Sequence, residues 1–328
     1  MKAVIYEGFG GPEVINLSEV PRPQPTEGQV LVRVRATSVN RADIIQRQGN
    51  YPPPPGESDI PGLELAGVIE KVGPGVRGWQ TGDRVMCLAA GGGYAEYAVV
   101  YAGHLMRIPE TMGFAEAACV SEVYITAYLN IFLIGRFTAG ETVLIHGGGG
   151  GVNTAGIQLC RTLVSDATII VTASPAKVDR VRSLGADLVI NYRAQDFAAE
   201  VKASTDNKGA DVILDHIGAA YLASNLKSLA GGGRLIIIGV MGGAAAEVNL
   251  AHLLVKRQRI IGSSIRSRPV EEKTRITAAF ADKVLPYFAD RTIVPEIYRR
   301  FDLAKAADAQ RAMEQSRHFG KIVLQVRV

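Results

Sequence analysis

Two different hydrophobic patterns divide this chain of 328 residues. From residue 1 to about residue 120, apolar and polar residues alternate, as in VLVRVRATSVN at 30–40, where the valines fall on one face and the arginines on the other. Glycine- and proline-rich turn signals, such as those at 52–56 and 73–75, separate these segments. The alternation predicts antiparallel strands throughout this half.

Beyond about residue 140, short apolar runs rich in β-branched residues alternate with helix-like stretches. The predicted strands are 142–146, 168–173, 188–191, 211–215, 235–240 and 259–263. The predicted helices are 152–165, 175–184, 196–204, 219–230 and 249–256. Six strands joined by helices are typical of a doubly wound parallel sheet.

The two patterns also predict how the domains are arranged along the chain. The stretch 117–135 is mostly apolar and free of glycine and proline until its end, which predicts a helix that crosses between domains. The final stretch, KIVLQVRV at 321–328, alternates like the first region. We therefore predict an α/β protein with a doubly wound parallel (Rossmann) sheet domain at 122–290 and a β-rich domain made of 1–121 and 291–328.

Composition limits the class of protein. Hydrophobic residues make up 47% and charged residues 21% of the chain, which excludes a disordered or collagen-like protein. The net charge of +4 is spread along the chain, so strong attraction to nucleic acid or membranes is not expected. Three widely separated cysteines and the lack of a long apolar run predict a cytoplasmic protein without disulfides.

A glycine cluster follows the first predicted parallel strand and opens a helix, in the segment ETVLIHGGGGGVNTAGIQLC. Glycines let the backbone approach a pyrophosphate, and the helix N-terminus supplies N–H donors and a positive dipole. The strict G-x-G-x-x-G pattern is not met, because a register on Gly148 and Gly150 places Asn153 where the third glycine belongs. We expect a dinucleotide site whose helix is slightly displaced by the Asn153 side chain.

The end of the second predicted strand points to the kind of dinucleotide. NAD-selective sites carry an acidic residue there to bind the ribose 2′-OH, whereas this strand ends in Ser174-Pro175-Ala176-Lys177. Ser174 and Pro175 resemble the N-cap and first residue of a helix, and Lys177 and Arg180 add positive charge. The sequence therefore favours a 2′-phosphate, and so NADPH.

No set of residues suggests a metal site. The histidines, at 104, 146, 216, 252 and 318, show no metal-ligand spacing, and each is interpreted as a structural or surface residue. His146 is expected to hydrogen-bond within the glycine turn. Asp43 is interpreted as a helix cap, and Glu64 as an ion-pair partner of Arg41 or Arg84.

Several motifs together resemble the medium-chain dehydrogenase/reductase superfamily over nearly the whole chain. They are NRADIIQRQGNYPPPPG, PGLELAGVIEKVGPGV, GDRVM, HGGGGGVNTAGIQL, DHIGA and GKIVL. The similarity is greatest to zinc-free NADPH:quinone oxidoreductases of zeta-crystallin type, in their stress-inducible branch. In the zinc-dependent alcohol dehydrogenases of the superfamily, a cysteine and a histidine replace Asn40 and Leu63. The resemblance implies that the β-rich domain is GroES-like and catalytic, that no metal is used, and that the protein is a homodimer joined at the strand near 235–240 or at its neighbour.

The resemblance also implies site residues. Asn40 and Tyr51 would be catalytic, beside the nicotinamide and the substrate, and a positioned water or Tyr51 would supply the proton. Among the cofactor residues, Thr126 would contact the nicotinamide-side ribose or phosphate, and the pyrophosphate cradle would consist of Gly148, Gly150, Gly151 and Val152. The 2′-phosphate site would consist of Ser174, Lys177 and Tyr192. The nicotinamide end would be bordered by Gly239, Met241 and Gly242.

Alternatives remain open. The same kind of cleft could reduce activated carbon-carbon double bonds, such as those of alkenals or enoyl thioesters. A different class, an RNA- or cofactor-gated binding protein, is motivated by the basic cluster at 256–259 with Arg266 and Arg268, although it lacks interleaved aromatic residues. A scaffold role without catalysis is the third alternative.

Overall fold

The structure is a computed structural model that describes residues 1–327, so only the last residue of the predicted final strand lies outside the described residues. The chain divides into two compact units. The first unit contains Met1–Ile125 and the residues from Ile265 onward, and the second contains Thr126–Ser264. Each unit is built around a sheet of its own.

Residues up to the start of the second unit form seven strands and three helices. The strands are β1 (Lys2–Tyr6), β2 (Ile15–Glu19), β3 (Gln29–Val39), β4 (Glu64–Val72), β5 (Arg84–Leu88), β6 (Tyr97–Tyr101) and β7 (Leu105–Arg107). The helices are α1 (Arg41–Arg47), α2 (Phe114–Ala117) and α3 (Ser121–Tyr128), and the last of these continues into a π-helical turn, Leu129–Ile134.

The rest of the chain alternates strands and helices before it returns to the first unit. The remaining strands are β8 (Thr142–Ile145), β9 (Thr168–Ala173), β10 (Leu188–Asn191), β11 (Ala210–Asp215), β12 (Leu229–Ile237), β13 (Arg259–Gly262), β14 (Ile297–Asp302) and β15 (Lys321–Gln325). The remaining helices are α4 (Gly151–Leu163), α5 (Val178–Ser183), α6 (Phe197–Ser204), α7 (Ala219–Ser228), α8 (Leu250–Lys256), α9 (Val270–Ala289) and α10 (Ala306–Glu314).

The first unit confirms the antiparallel prediction. Its main sheet has the order β14-β15-β3-β4-β5-β7, with β6 paired to β3, and every pair except β14–β15 is antiparallel. The alternating valines of β3 are buried in its core, where Val30 pairs with Val72 on one side and Val100 on the other. Strand β15 adds the predicted final segment to this sheet.

The second unit is a parallel sheet of six strands in the order β10-β9-β8-β11-β12-β13. This is the doubly wound order in which the chain starts in the centre, winds to one edge, and then returns to fill the other. Strands β8 and β11 are neighbours whose connections leave in opposite directions. Ligands of such sheets bind beyond the carboxyl ends of those two strands. A binding site is therefore expected at the residues that follow Ile145 and Asp215.

Two predicted elements differ from the structure. The predicted helix 117–135 is interrupted between α2 and α3, and its end is π-helical. The sequence did not predict this break because the apolar run contains no signal for one. The predicted strand 235–240 is shifted to Leu229–Ile237. It begins earlier because Leu229 already pairs with Ala210 across a register shift.

The return to the first unit occurs at Ile265, not at the predicted residue 291. Helix α9, which the prediction placed in the nucleotide domain, packs on the first unit. His104 Nε2 lies 3.1 Å from the carbonyl oxygen of Val270, and the Phe288 ring meets the Tyr124 ring edge-on at 5.0 Å between centroids. The parallel sheet ends with β13, so no later strand of that sheet marks α9 as one of its connecting helices. The helix pattern alone therefore could not assign α9 to a domain.

Helix α9 is the longest helix that the structure describes, with 20 residues. Its sequence, VEEKTRITAAFADKVLPYFA, carries charged residues along its length. None of the helices within residues 1–327 has the length and apolarity needed to cross a membrane.

Replacing Phe288 by alanine tests the placement of α9. The ring is fully buried, so we expect the free energy of unfolding of the first unit to fall by about 3–5 kcal/mol. The chain has one tryptophan, Trp79, in that unit, and its fluorescence during urea unfolding reports the change. Phe9→Ala is the matched control, because Phe9 is 77% exposed in the same unit. An unchanged Trp79 transition in Phe288→Ala would refute the placement.

Candidate functional site

The glycine turn begins where β8 ends, at the predicted position. Gly147 has a φ of +74°, a backbone conformation that residues other than glycine rarely adopt. Its N–H donates to Thr172 Oγ1 at 3.1 Å, and the N–H of Gly148 donates to the Thr172 carbonyl oxygen at 2.8 Å. The neighbouring strand β9 therefore holds the turn in place.

Close packing explains why the next two positions are also glycine. A methyl group on Gly148 would come within 2.6 Å of Val171 Cγ1, and one on Gly149 would come within 2.4 Å of Lys177 Cδ. A side chain at position 148 would push the turn away from β9 and α5, whereas one at position 149 would displace the end of the Lys177 side chain. The turn therefore presents bare backbone at the carboxyl edge of the sheet.

Helix α4 begins directly after this turn, with Gly150 as its N-cap. The first N–H groups of a helix have no partner within the helix, and the helix dipole adds positive charge there. The predicted cradle residues Gly148, Gly150, Gly151 and Val152 thus lie together at a terminus suited to an anion such as a pyrophosphate. The expected displacement of α4 by Asn153 stays a prediction.

The predicted 2′-phosphate residues lie beside the same turn. Ser174 follows β9 and is the N-cap of a 3-10 turn, Pro175–Lys177, that leads into α5. The side chain of Lys177 crosses Gly149, and its Nζ lies 3.1 Å from the place of a methyl group on that glycine. Tyr192, which follows β10, donates its backbone N–H to Ala173 at 3.4 Å. No acidic residue stands at the end of β9.

The predicted residues of the nicotinamide end belong to the loop after β12. Met241 N–H donates to the carbonyl oxygen of His216 at 3.1 Å, and Gly242 N–H donates to that of Ile217 at 2.7 Å. A methyl group on Gly239 would lie 3.2 Å from His216 Cβ, and one on Gly147 would lie 2.6 Å from the imidazole. His216 therefore joins this loop to the glycine turn.

Thr126 lies in α3, at the start of the second unit. Its backbone oxygen accepts a hydrogen bond from Asn130 at 2.7 Å, whereas its buried Oγ1 has no hydrogen-bond partner in the structure. A buried hydroxyl without a partner is costly, so this oxygen is suited to bind a ligand. The helix of Thr126 also adjoins α4, since a methyl group on Gly156 would lie 3.9 Å from Ala127 Cβ.

Asn40, a predicted catalytic residue, lies in a buried polar cluster of the first unit. It follows β3, and the neighbouring strands β4 and β15 begin with Glu64 and Lys321 at the same end of the sheet. Asn40 Nδ2 donates to Glu64 Oε1 at 3.0 Å, and Asn40 Oδ1 accepts from Lys321 Nζ at 2.6 Å. These two bonds fix the orientation of the amide.

The partner predicted for Glu64 was wrong. Glu64 is fully buried and pairs with Lys321 at 2.9 Å, not with Arg41 or Arg84, because β15 and not β5 brings a cation to this end of the sheet. The helix-cap role of Asp43 is confirmed. Its Oδ2 accepts the N–H of Asn40 at 2.7 Å at the start of α1.

A third carboxyl group adjoins this cluster. The backbone N–H of Glu122, in the first turn of α3, donates to Glu64 Oε2 at 2.9 Å. Loss of hydration around the Glu122 carboxyl, together with the nearby Glu64 carboxylate, raises the pKa of Glu122 to about 8. The folded protein therefore favours the protonated form of Glu122 at neutral pH.

Tyr51, the other predicted catalytic residue, is held by Arg266. Arg266 Nη1 donates to the Tyr51 carbonyl oxygen at 3.0 Å, and the guanidinium carbon lies 5.0 Å from the centre of the Tyr51 ring. Arg266 also donates to the carbonyl oxygen of Ala90 at 2.8 Å and to Gln46 Oε1 at 2.7 Å. Arg266 thus joins the Tyr51 loop to α1 and to the segment that follows β5.

The basic residues that motivated the RNA-binding alternative divide in the structure: Arg257 and Arg259 are exposed, whereas Arg266 and Arg268 are taken up by contacts within the fold. Arg266 is 3% exposed, and Arg268 pairs with Glu272. Gln258 is buried as well, with its amide donating to the carbonyl oxygens of Leu226 and Leu229. The sequence pattern of positive charge does not show which arginines are used inside the fold.

Sequence reasoning missed Arg266, Lys321, Glu122 and His216 as members of these sites. His216 could have been found, because it directly follows the strand that neighbours β8 in a doubly wound sheet. The three charged residues gave no local signal, since their partners are distant along the chain.

Comparison with known proteins agrees with this architecture. Residues 26–110 match the model of the alcohol dehydrogenase GroES-like domain, and residues 184–324 match the model of a zinc-binding dehydrogenase domain. The rat (Rattus norvegicus) quinone oxidoreductase is 35% identical over 328 residues, which cover 99% of this chain and 97% of that protein. The chain belongs to the medium-chain dehydrogenase/reductase superfamily, in its quinone oxidoreductase family. It is an oxidoreductase with a GroES-like domain and a Rossmann-like sheet.

Two solved structures of similar proteins extend the comparison for this quinone oxidoreductase family member. A mycobacterial protein complexed with NADPH has a TM-score of 0.89 and 28% identity, covering 99% of this chain and 100% of its own. The JamJ enoyl reductase in its apo form has a TM-score of 0.89 and 26% identity, with 99% of each chain covered.

The residues of this family member do not fit a catalytic zinc. The amide of Asn40 is held by Glu64 and Lys321, and Leu63 is a buried apolar residue. Among residues 1–327, no group of three or more His, Cys, Asp or Glu side chains could hold a metal ion. A nicotinamide nucleotide does fit, because the bare glycine turn, the start of α4 and the orphaned Thr126 hydroxyl offer it partners.

Replacing Glu122 by glutamine tests the electrostatics of the polar cluster. The folded protein favours the protonated Glu122 carboxyl, and this contribution to stability is fully present below about pH 4.5. It is lost as the pH rises toward 8. We expect wild type to lose about 1–3 kcal/mol relative to Glu122→Gln between pH 5 and pH 8. Urea unfolding followed by Trp79 fluorescence measures it. Glu110→Gln, at an exposed residue, is the control, and parallel pH profiles of wild type and Glu122→Gln would contradict the raised pKa of Glu122.

Proposed function

We propose that this protein is an NADPH-dependent quinone reductase that transfers hydride without a metal. The observation that carries the proposal is the position of Lys177 across the glycine turn, at the end of a strand that has no acidic residue. A cation at this position favours a 2′-phosphate, whereas the ribose 2′-OH of NADH calls for a carboxylate. The complex of a similar mycobacterial protein with NADPH adds support.

Each part of the second unit has a task in this proposal. The N–H groups at the start of α4 bind the pyrophosphate, the bare glycine turn lets it approach, and Ser174, Lys177 and Tyr192 bind the 2′-phosphate. Thr126 Oγ1 bonds the nicotinamide-side ribose or phosphate, and the loop of Gly239, Met241 and Gly242 borders the nicotinamide. The bound nucleotide supplies the hydride.

The first unit orients the acceptor through Asn40 and Tyr51. A quinone gains an aromatic ring when it takes up a hydride and a proton, so it needs little chemical activation, and orientation dominates. The Tyr51 phenol or a positioned water donates the proton to the reduced oxygen. Arg266 holds the Tyr51 ring by its contacts with the carbonyl oxygen and the ring face.

Reduction of activated carbon-carbon double bonds is the second candidate, favoured by the similarity to an enoyl reductase. The two functions share the cofactor and differ in the acceptor. NADPH oxidation with 1,2-naphthoquinone, a 2-alkenal and an enoyl thioester separates them. We expect kcat/KM to be highest with the quinone. A higher value with either alkene substrate would assign the second function.

We further propose a homodimer in the cytoplasm. In the second unit, the edge strand of the sheet next to β12 is β13, the neighbour that the sequence prediction allowed. An open edge strand can pair with the same strand of another copy.

Replacing Lys177 by alanine tests the NADPH preference. Loss of a charge-assisted contact to the 2′-phosphate costs about 1.5–3 kcal/mol, so the Kd for NADPH should rise about ten- to a hundredfold. The Kd for NADH should change little. Titration calorimetry with both nucleotides measures this, with Arg182→Ala as the control because Arg182 is exposed and pairs with Asp179. Equal losses for the two nucleotides would rule out the assigned 2′-phosphate contact.

Replacing Tyr51 by phenylalanine tests the mechanism. The ring is kept and only the phenolic proton is lost, and water can supply a proton to a quinone. We therefore expect kcat to fall by less than about 100-fold, with little change in the KM for NADPH. Steady-state kinetics measures both constants. A ten-thousandfold loss would show that the phenol is indispensable and would contradict the proposed mechanism.

A further inference from the structure

Asn153 occupies the position at which dinucleotide-binding turns usually have a third glycine. It lies in the first turn of α4 and is 5% exposed. Its Nδ2 donates a hydrogen bond to the carbonyl oxygen of His146, the residue directly before the glycine turn. Its Oδ1 lies against Gly150, where a methyl group on that glycine would come within 2.6 Å.

The carbonyl group that Asn153 binds is itself held firmly. The His146 ring is fully buried, with Nε2 at 2.7 Å from Asn225 Oδ1 and Nδ1 at 3.1 Å from Thr172 Oγ1. Burial lowers the pKa of His146 to about 3, so the ring is neutral, with one donor and one acceptor for these two contacts. Thr172 Oγ1 in turn accepts the N–H of Gly147. Hydrogen bonds therefore fix both ends of the turn.

The backbone does not explain why residue 150 is glycine. Gly150 has a φ of −81° and a ψ of 160°, an extended conformation open to any residue. The atom nearest to a methyl group there is Asn153 Oδ1. That oxygen can move away only if the Asn153 side chain turns and strains or breaks its hydrogen bond to His146.

We propose that Asn153 is a positioning residue of the nucleotide site: it ties the start of α4 to the end of β8, and its side chain imposes glycine at position 150. The consequence for binding rests on the proposed function, because it assumes that a nicotinamide nucleotide uses this turn. The consequence for packing does not. The glycine run and the substituted third glycine are then one coupled feature, not two independent ones.

A double-mutant cycle tests this coupling, using Gly150→Ala, Asn153→Gly and the double variant. NADPH affinity is measured by titration calorimetry and stability by urea unfolding. With Asn153 present, we expect Gly150→Ala to raise the Kd for NADPH at least about tenfold and to lower the unfolding midpoint. In the Asn153→Gly background, the same change should alter the Kd less than about twofold and leave the midpoint unchanged.

Gly113→Ala is the matched control. Gly113 is also a helix N-cap with an extended backbone, at φ −82° and ψ 162°, and a methyl group there would meet no atom within 4 Å. We expect it to leave both the NADPH affinity and the unfolding midpoint unchanged. This separates the contact with Asn153 from any general effect of alanine at an N-cap.

Equal effects of Gly150→Ala in the two backgrounds, or none in either, would overturn the proposal. If Gly150→Ala alone fails to fold, recovery of folding in the double variant supports the coupling, and continued failure overturns it. If wild type binds no NADPH, the proposed function fails, and the unfolding half of the cycle still decides the role of Asn153.

Discussion

The candidate nucleotide site of the second unit depends on one constraint, the bare backbone of the glycine turn where α4 begins. Position 147 requires glycine for a positive φ and position 148 for packing on Val171, and the Lys177 side chain passes over Gly149. Strand β9 holds this turn through Thr172 and also delivers Lys177 to it. One pair of neighbouring parallel strands thus carries both the residues proposed for the pyrophosphate and those proposed for the 2′-phosphate.

The first unit uses a different principle, in which buried charges orient a neutral side chain. Isolated charges are costly to bury, but Glu64 and Lys321 compensate each other and share the Asn40 amide. Arg266 does the same for the Tyr51 loop through hydrogen bonds to three separate segments. Both predicted catalytic residues are therefore held by a cation, which suits a reaction that depends on orientation.

Much of the fold could be predicted from the sequence, because β-branched apolar runs and helical stretches alternate at the period of a doubly wound sheet. The glycine turn, Ser174 and Lys177 were also predictable, since each follows a strand directly. Contacts such as Lys321 with Asn40 were not, because they join residues 281 positions apart, and only the register of β15 on β3 brings them together. For the same reason the sequence did not show that α9 belongs to the first unit or that Arg266 is buried.

The central claim is that hydride passes directly from the nicotinamide to an electron-poor acceptor without a metal. Metal-depleted protein should be assayed for quinone reduction with NADPH carrying deuterium at the transferred position of C4. We expect full turnover in the presence of a chelator, with a primary isotope effect in single-turnover measurements. Turnover that appears only after zinc is restored would contradict it.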